Sequence, residues 1–289
     1  MNDYTTLLEE WGDLLERRPT FSAALAPYGE LLEAWARWSA DAIVPLAWSR
    51  EECRARWQRG LPLLAEVSPA IPAGAMEELV SAALDFIGAV GADQALLGRV
   101  AEAWDRGVLA PSVLLPGQGR LGSVSAQEAL WLSQEVLGFL AVAGLRPPLD
   151  AFFAECRPHV ADSAWNLGVC PLCGAPPGFA DLTEDGRCRL ACHVCGGAWT
   201  FSRMCCPFCG TRRVNDLVRL AAEDPAEEGY AVEACKQCNG YVKALDRRLR
   251  WNAGSALIED WGTPHLDLVA RRSGYWRPIP SIVELAGAA

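Results

Sequence analysis

Eight of the chain's 12 cysteines fall into four C-x-x-C pairs in its C-terminal half: Cys170/Cys173 in CPLCG, Cys192/Cys195 in CHVCG, Cys206/Cys209 in CPFCG and Cys235/Cys238 in CKQCN. A C-x-x-C turn aims both thiolates at one point, and two such turns supply the four corners of a tetrahedral shell. Gly174, Gly196 and Gly210 directly follow the second cysteine, and Gly240 comes one residue later; a glycine there lets backbone amides turn toward the sulfurs. One such pair is shared with thioredoxin-like redox motifs, but four of them in two units, each opening on CPxCG, point to metal. In a reducing compartment the alternative of structural disulfides is disfavoured.

Between Cys173 and Cys192 lie 18 residues, and between Cys209 and Cys235 lie 25, each enough for a hairpin that returns the second knuckle to the first. The expected metal ligands are therefore Cys170, Cys173, Cys192 and Cys195 on one ion and Cys206, Cys209, Cys235 and Cys238 on another. A cross-braced pairing stays open at this point. Four thiolates suit zinc and rubredoxin-type iron alike, so the cofactors expected are two ions of Fe or Zn. A closed four-cysteine shell leaves no position for water or substrate, and no enzyme is expected. His159, His193 and His265 are assigned no metal. Cys53, Cys156, Cys188 and Cys205 are left over, and Cys205 adjoins a ligand. The nearby cations Arg187, Arg189, Arg203, Arg212, Arg213 and Lys236 are candidates to offset the net −2 of each filled site.

The formal charge of −10 is uneven: residues 1–159 carry 12 Lys+Arg against 21 Asp+Glu, whereas 160–289 carry 14 against 15. Affinity for nucleic acid rests on basic side chains displacing counterions, so an acidic chain starts at a disadvantage there. The N-terminus, MNDYTTLLEEWGDLLERR, does not read as the basic start and apolar run of a secretory signal, and a cytoplasmic location is expected. The longest uncharged apolar stretch, Val136 to Leu145, is far short of the ~20 residues that cross a bilayer, and no membrane span is expected.

The first 155 or so residues read as helical. Leu7, Leu8, Trp11, Leu14 and Leu15 mark one buried helix face that Pro19 ends. Further helices are expected over Tyr28 to Ile43, with Trp35 and Trp38 inward, over Glu77 to Val90 and over Leu96 to Trp104. Ser125-Ala-Gln-Glu128 reads as a capping box opening a helix to about Ala143, closed by Gly144 and the Pro147-Pro148 pair. Leu109 to Gly122 reads as a loop. After Trp165, periodic helix gives way to short β-prone runs. The fold class expected is α+β: an all-helical domain over 1–160, a first rubredoxin-like or zinc-ribbon unit over 161–205, and a second over 206–289 that includes a C-terminal helix. That helix has Thr263-Pro264 at its start, Leu266, Leu268 and Val269 as its apolar face and Gly274 as its stop; it is expected to dock on the second metal unit, with Tyr275 and Trp276 buried against the ribbon.

The C-terminal half, roughly 165–280, resembles the formate dehydrogenase accessory (formation) protein family. The resemblance is carried by CPLCGAPP, by CHVCGGAWTFSRMCCPFCG with Trp199 and Arg203 between knuckles, by EACKQCNGYVKAL with Glu233, Tyr241 and Lys243, and by DLVARRSGYWRP. It implies a cytoplasmic factor with two rubredoxin-like folds behind a helical domain, which binds the catalytic subunit of a formate dehydrogenase and assists its assembly. It also implies iron at the knuckles, a redox contribution to assembly, and the eight knuckle cysteines as ligands. The doublet Cys205-Cys206 departs from the pattern, and the spacing to Cys209 selects Cys206. The competing reading from the residues alone is a zinc-ribbon regulator of nucleic acid; a thiol oxidoreductase that uses one C-x-x-C as a dithiol is a third.

Overall fold

The computed structural model describes residues 4–288 apart from 118, 123–126, 129, 162, 222 and 223. The first helix, α1 (Tyr4–Arg17), buries Leu7, Trp11 and Leu14, as the periodicity requires. Helix α2 (Pro27–Arg37) opens on a proline, whose missing N–H costs nothing in a first turn. It ends six residues earlier than expected. Trp38 turns to extended backbone, and its indole N–H donates to the Ala75 carbonyl at 2.6 Å. Helix α3 (Arg50–Gln58), unforeseen in the sequence, starts with a complete capping box between Ser49 and Glu52. Helices α4 (Glu77–Ala89) and α5 (Gln94–Asp105) lie where the pattern puts them. The loop expected over 109–122 contains one helical turn, Pro111–Leu114.

The largest departure concerns the long helix. Ser125 lies outside the described residues. Helix α6 (Gln134–Phe152) is capped by Ser133 and runs through Pro147 and Pro148 rather than stopping before them. A proline inside a helix withdraws the N–H that would bond the carbonyl four residues back. For Pro147 that carbonyl belongs to Ala143, and the Trp35 indole N–H occupies it at 2.8 Å. The orphaned acceptor is thus satisfied by α2, and the helix continues. Every residue from Val136 to Phe152 is buried, as befits a largely apolar helix in the middle of a fold, and its two charged residues, Arg146 and Asp150, are hydrogen-bonded.

The C-terminal half forms one six-stranded sheet in the order β3-β2-β1-β6-β5-β4. Its strands are β1 (Phe179–Leu182), β2 (Cys188–Ala191), β3 (Ala198–Phe201), β4 (Leu217–Ala221), β5 (Tyr230–Cys235) and β6 (Tyr241–Asp246). Each half of the sheet is an antiparallel three-strand meander with one knuckle before its first strand and one between its second and third. The second unit therefore follows the first by translation along the sheet. Because the outer strands of a meander point the same way, that translation makes β6 run parallel to β1, with Phe179 opposite Lys243 and Leu182 opposite Asp246.

Helix α7 (Ala256–Trp261) fastens this sheet to the helical half. The Trp261 ring stacks on Tyr28 at 4.2 Å and meets Trp11 edge-on at 6.4 Å. One apolar core runs from α1 through α6 to the first four knuckle cysteines. A smaller one, with Phe179, Tyr230, Val232 and Tyr241, lies under β5 and β6 against helix α8 (Pro264–Arg272). Gly274, at φ +83°, provides the stop after α8. Its inward face is Leu266 and Ala270, however, whereas Leu268 and Val269 are 43% and 46% exposed. Trp276 is 51% exposed rather than buried, because its backbone and indole are both committed to the fourth knuckle. A last helix, α9 (Ile282–Ala288), packs against α6 and α8.

Trp35→Phe keeps an aromatic ring but removes the donor to Ala143. The buried carbonyl left without a partner is expected to cost about 1–3 kcal/mol in urea unfolding.

Candidate metal centres

The four knuckles share one backbone pattern. In the first, Cys170 N–H donates to the Ala175 carbonyl and Gly174 N–H to that of Cys170; the second and third repeat it from Cys192 to Gly197 and from Cys206 to Thr211. Gly174, Gly196 and Gly210 take φ of +77°, +73° and +74°, the left-handed conformation that costs glycine nothing. In the fourth knuckle Asn239 takes that place at φ +55°, a role asparagine tolerates. Gly240 is then needed for a different reason, since a Cβ there would lie 2.7 Å from the Phe208 ring.

The sulfurs converge in sequential order. Cys170, Cys173, Cys192 and Cys195 form one group and Cys206, Cys209, Cys235 and Cys238 the other, with all ligand atoms of a group within 4.8 Å. The first and third knuckles are not brought together, so the cross-braced arrangement is not adopted. In the first group Cys170 and Cys195 Sγ are 3.5 Å apart, as are Cys173 and Cys192; in the second the pairs Cys206/Cys238 and Cys209/Cys235 stand at 3.7 Å. A metal–sulfur bond of about 2.3 Å implies tetrahedral edges of about 3.8 Å, whereas a disulfide closes to about 2.05 Å. The donor sets therefore fit one four-coordinate ion each, and all eight cysteines are free thiols. Burial pushes the Cys170 and Cys173 thiols well up. A divalent ion compensates such crowded sulfurs in the charged form. Cys205 stands aside, its Sγ at 3.5 Å from the Gly210 carbonyl, and Cys206 is the member of the quartet.

The first group is walled in by the helical half. Leu63 and Leu64 N–H groups donate to the carbonyls of Pro171 and Leu172, and the Trp57 indole donates to Pro171 at 2.9 Å. Two guanidiniums reach the second knuckle from above: Arg146 bonds the carbonyls of Cys192 and His193, and Arg157 bonds that of Cys195 at 2.8 Å. The cations proposed from sequence proximity, Arg187, Arg189, Arg203, Arg212, Arg213 and Lys236, are all at the surface, and Arg187 pairs with Asp185. Sequence reasoning missed Arg146 and Arg157; for Arg146 the available signal was an arginine in the middle of a largely apolar run.

No family model matches the chain. Among curated proteins, a homologue of protein FdhE from Stutzerimonas stutzeri is 32% identical over 123 residues, 41% of this chain and 39% of that protein. The homologue from Aquifex aeolicus is 29% identical over 150 residues, half of each, and one from a Shewanella species is 24% identical over 77% of this chain and 64% of its own. The aligned part thus spans less than two thirds of each of these relatives. The crystal structure of the FdhE protein from Pseudomonas aeruginosa has the same fold, with a TM-score of 0.65 over 96% of this chain and 94% of that one, at 22% identity. The chain is similar to FdhE proteins in sequence over part of its length and in fold along nearly all of it. The sequence comparison agrees with the resemblance carried by the knuckle motifs.

Four of the motif residues outside the knuckles, Tyr241, Lys243, Asp267 and Arg277, meet in one buried cluster. Lys243 Nζ, on β6, donates to Asp267 at 2.7 Å and lies 3.1 Å from Asp260. Arg277 bridges the same two carboxylates, at 2.9 Å to Asp260 and 3.0 Å to Asp267, and donates to the Gly178 carbonyl. Tyr241 donates to Asp267 at 2.7 Å. His193, inside the second knuckle, meets Asp260 at 2.9 Å. All are buried. Burial alone would raise the Asp260 carboxyl, but Arg277, Lys243 and the His193 contact hold it well below the usual carboxylate range. Burial also pushes His193 down, toward the neutral ring. The hydrogen bond between His193 and the Asp260 carboxylate braces the second knuckle from outside its sulfurs.

Lys243→Met would leave two carboxylates facing one guanidinium in a buried site; a loss of about 3–5 kcal/mol in equilibrium unfolding is expected. Cys173→Ser and Cys209→Ser are each expected to lower bound metal by one ion of two, read by elemental analysis. Structural metal of this kind contributes roughly 10 kcal/mol or more to folding, so Cys173→Ser, placed in the large core, is also expected to lower Tm more than Cys209→Ser.

Proposed function

We propose that this chain is a cytoplasmic accessory factor that binds the catalytic subunit of a formate dehydrogenase and assists its assembly. The single observation that carries the reading is the pair of closed four-sulfur groups on one sheet, within a fold shared with an FdhE protein along nearly the whole chain. On this reading residues 1–160 form the helical part, 161–205 the first metal unit and 206–289 the second. Cys170, Cys173, Cys192 and Cys195, and Cys206, Cys209, Cys235 and Cys238, each hold an ion of iron or zinc. Each shell is filled by protein sulfur, which suits fixing a binding surface or passing electrons better than activating a water. The described helices include none long and apolar enough to cross a membrane.

Affinity-tagged chain expressed together with a formate dehydrogenase catalytic subunit is expected to retain that subunit through size-exclusion chromatography. Recovery of the chain alone, from cells shown to contain the subunit, would count against the proposal. Protein made with adequate iron is expected to show thiolate-to-iron bands in the visible spectrum if iron is the resident ion, and none if it is zinc.

A further inference from the structure

The two sulfur groups face different surroundings. All four cysteines of the first are buried and belong to the large apolar core, and the residues inside its turns, Leu172, His193 and Val194, are buried with them. The helical half covers them through Trp57, Arg146 and Arg157. In the second, Cys209 is exposed and Cys238 half-buried. Lys236 and Gln237, inside the fourth turn, are exposed, Met204 is 50% exposed, and neither apolar core includes any of its four cysteines. A cleft over Leu182, Leu190 and Val242 is lined by Cys206 and Cys235, as another is by Cys192 of the first group; what sets the second group apart is the exposure of Cys209.

We infer that the two centres are unequal in function: the first is a permanent staple, and the second gives up and takes up its ion in exchange with soft donors, thiolate or aromatic nitrogen, presented from outside. This rests on the reading that both groups hold metal. Exchange at a closed tetrathiolate shell begins when an incoming donor reaches the ion or displaces a sulfur, so its rate follows access. Around the first group, access requires opening of the main core, which is among the costliest local openings in a fold. Around the second it requires no opening at Cys209. Each metal–cysteine bond that breaks is replaced by a metal–donor bond, and the released thiolate takes a proton from water; nothing is oxidised. The exposed Arg212, Arg213 and Lys236 near this centre favour donors carried on an anion.

The test uses the full chain loaded with zinc to two equivalents, confirmed by elemental analysis, and mixed with excess 4-(2-pyridylazo)resorcinol. One equivalent is expected to leave roughly ten-fold or more faster than the other. Pulse alkylation with N-ethylmaleimide during the fast phase, mapped by peptide mass spectrometry, is expected to mark Cys206, Cys209, Cys235 and Cys238 and to spare Cys170, Cys173, Cys192 and Cys195. Cys209→Ser is expected to keep the slow equivalent and lose the fast one. Two equivalents leaving at one rate, or label entering the first group together with or ahead of the second, would overturn the inference while leaving the metal reading in place. Folded protein that takes up fewer than two ions would overturn both.

Discussion

The interaction on which the architecture depends is the sealed cluster of Lys243, Asp260, Asp267 and Arg277. Two cations and two anions balance, and the Tyr241 hydroxyl and the His193 ring supply further partners. Charges of this kind are costly to take out of water, and well-packed apolar residues would often be as stable. What apolar residues would not do is fix mutual position. These side chains come from the second knuckle, from β6, from α7 and α8 and from the strand-like tail, and each bond has a direction as well as a strength. The cluster thereby holds the knuckle of one unit, the last strand of the other and the C-terminal helices in a single arrangement.

That cluster also shows where reading the sequence reaches its limit. The eight cysteines could be singled out in advance, because a short-range spacing dictates a local turn, and loops of 18 and 25 residues favoured the sequential pairing while leaving a cross-braced one open. Tyr241, Lys243 and the segment from Asp267 to Arg277 stood out within the motifs, but the element joining them, Asp260, lies in no motif and had no periodic signal. The helices over Glu77–Ala89 and Gln94–Asp105 lay where expected to within a residue or two. The failures were at positions where a distant side chain supplied what the local sequence lacked. Pro147 and Pro148 read as a stop until the indole of Trp35, more than a hundred residues away, answers the Ala143 carbonyl. Trp38 likewise leaves its helix for a carbonyl on another segment. Ser49 and Glu52 formed a legible capping box that went unread beside the stronger signals around it.

The helical half does more than precede the metal units. Its α3 and the segment after it hydrogen-bond the first knuckle, its α6 supplies Arg146, and its aromatic face receives Trp261. The first unit is thereby absorbed into a shared core, while the second rests on a smaller core of its own. Similar knuckle sequences thus sit in unlike settings, a difference set by what packs around each knuckle and not by the turn itself.

The parallel junction of β1 and β6 has a temporal side. A chain made from its N-terminus completes the three strands of the first unit well before β6 emerges, and until then β1 presents an unpaired edge. The sheet cannot close progressively, strand beside neighbouring strand, because the partner of its earliest strand is its last. During that interval an ion in the first quartet would give the nascent unit a fixed shape, ready to accept β6.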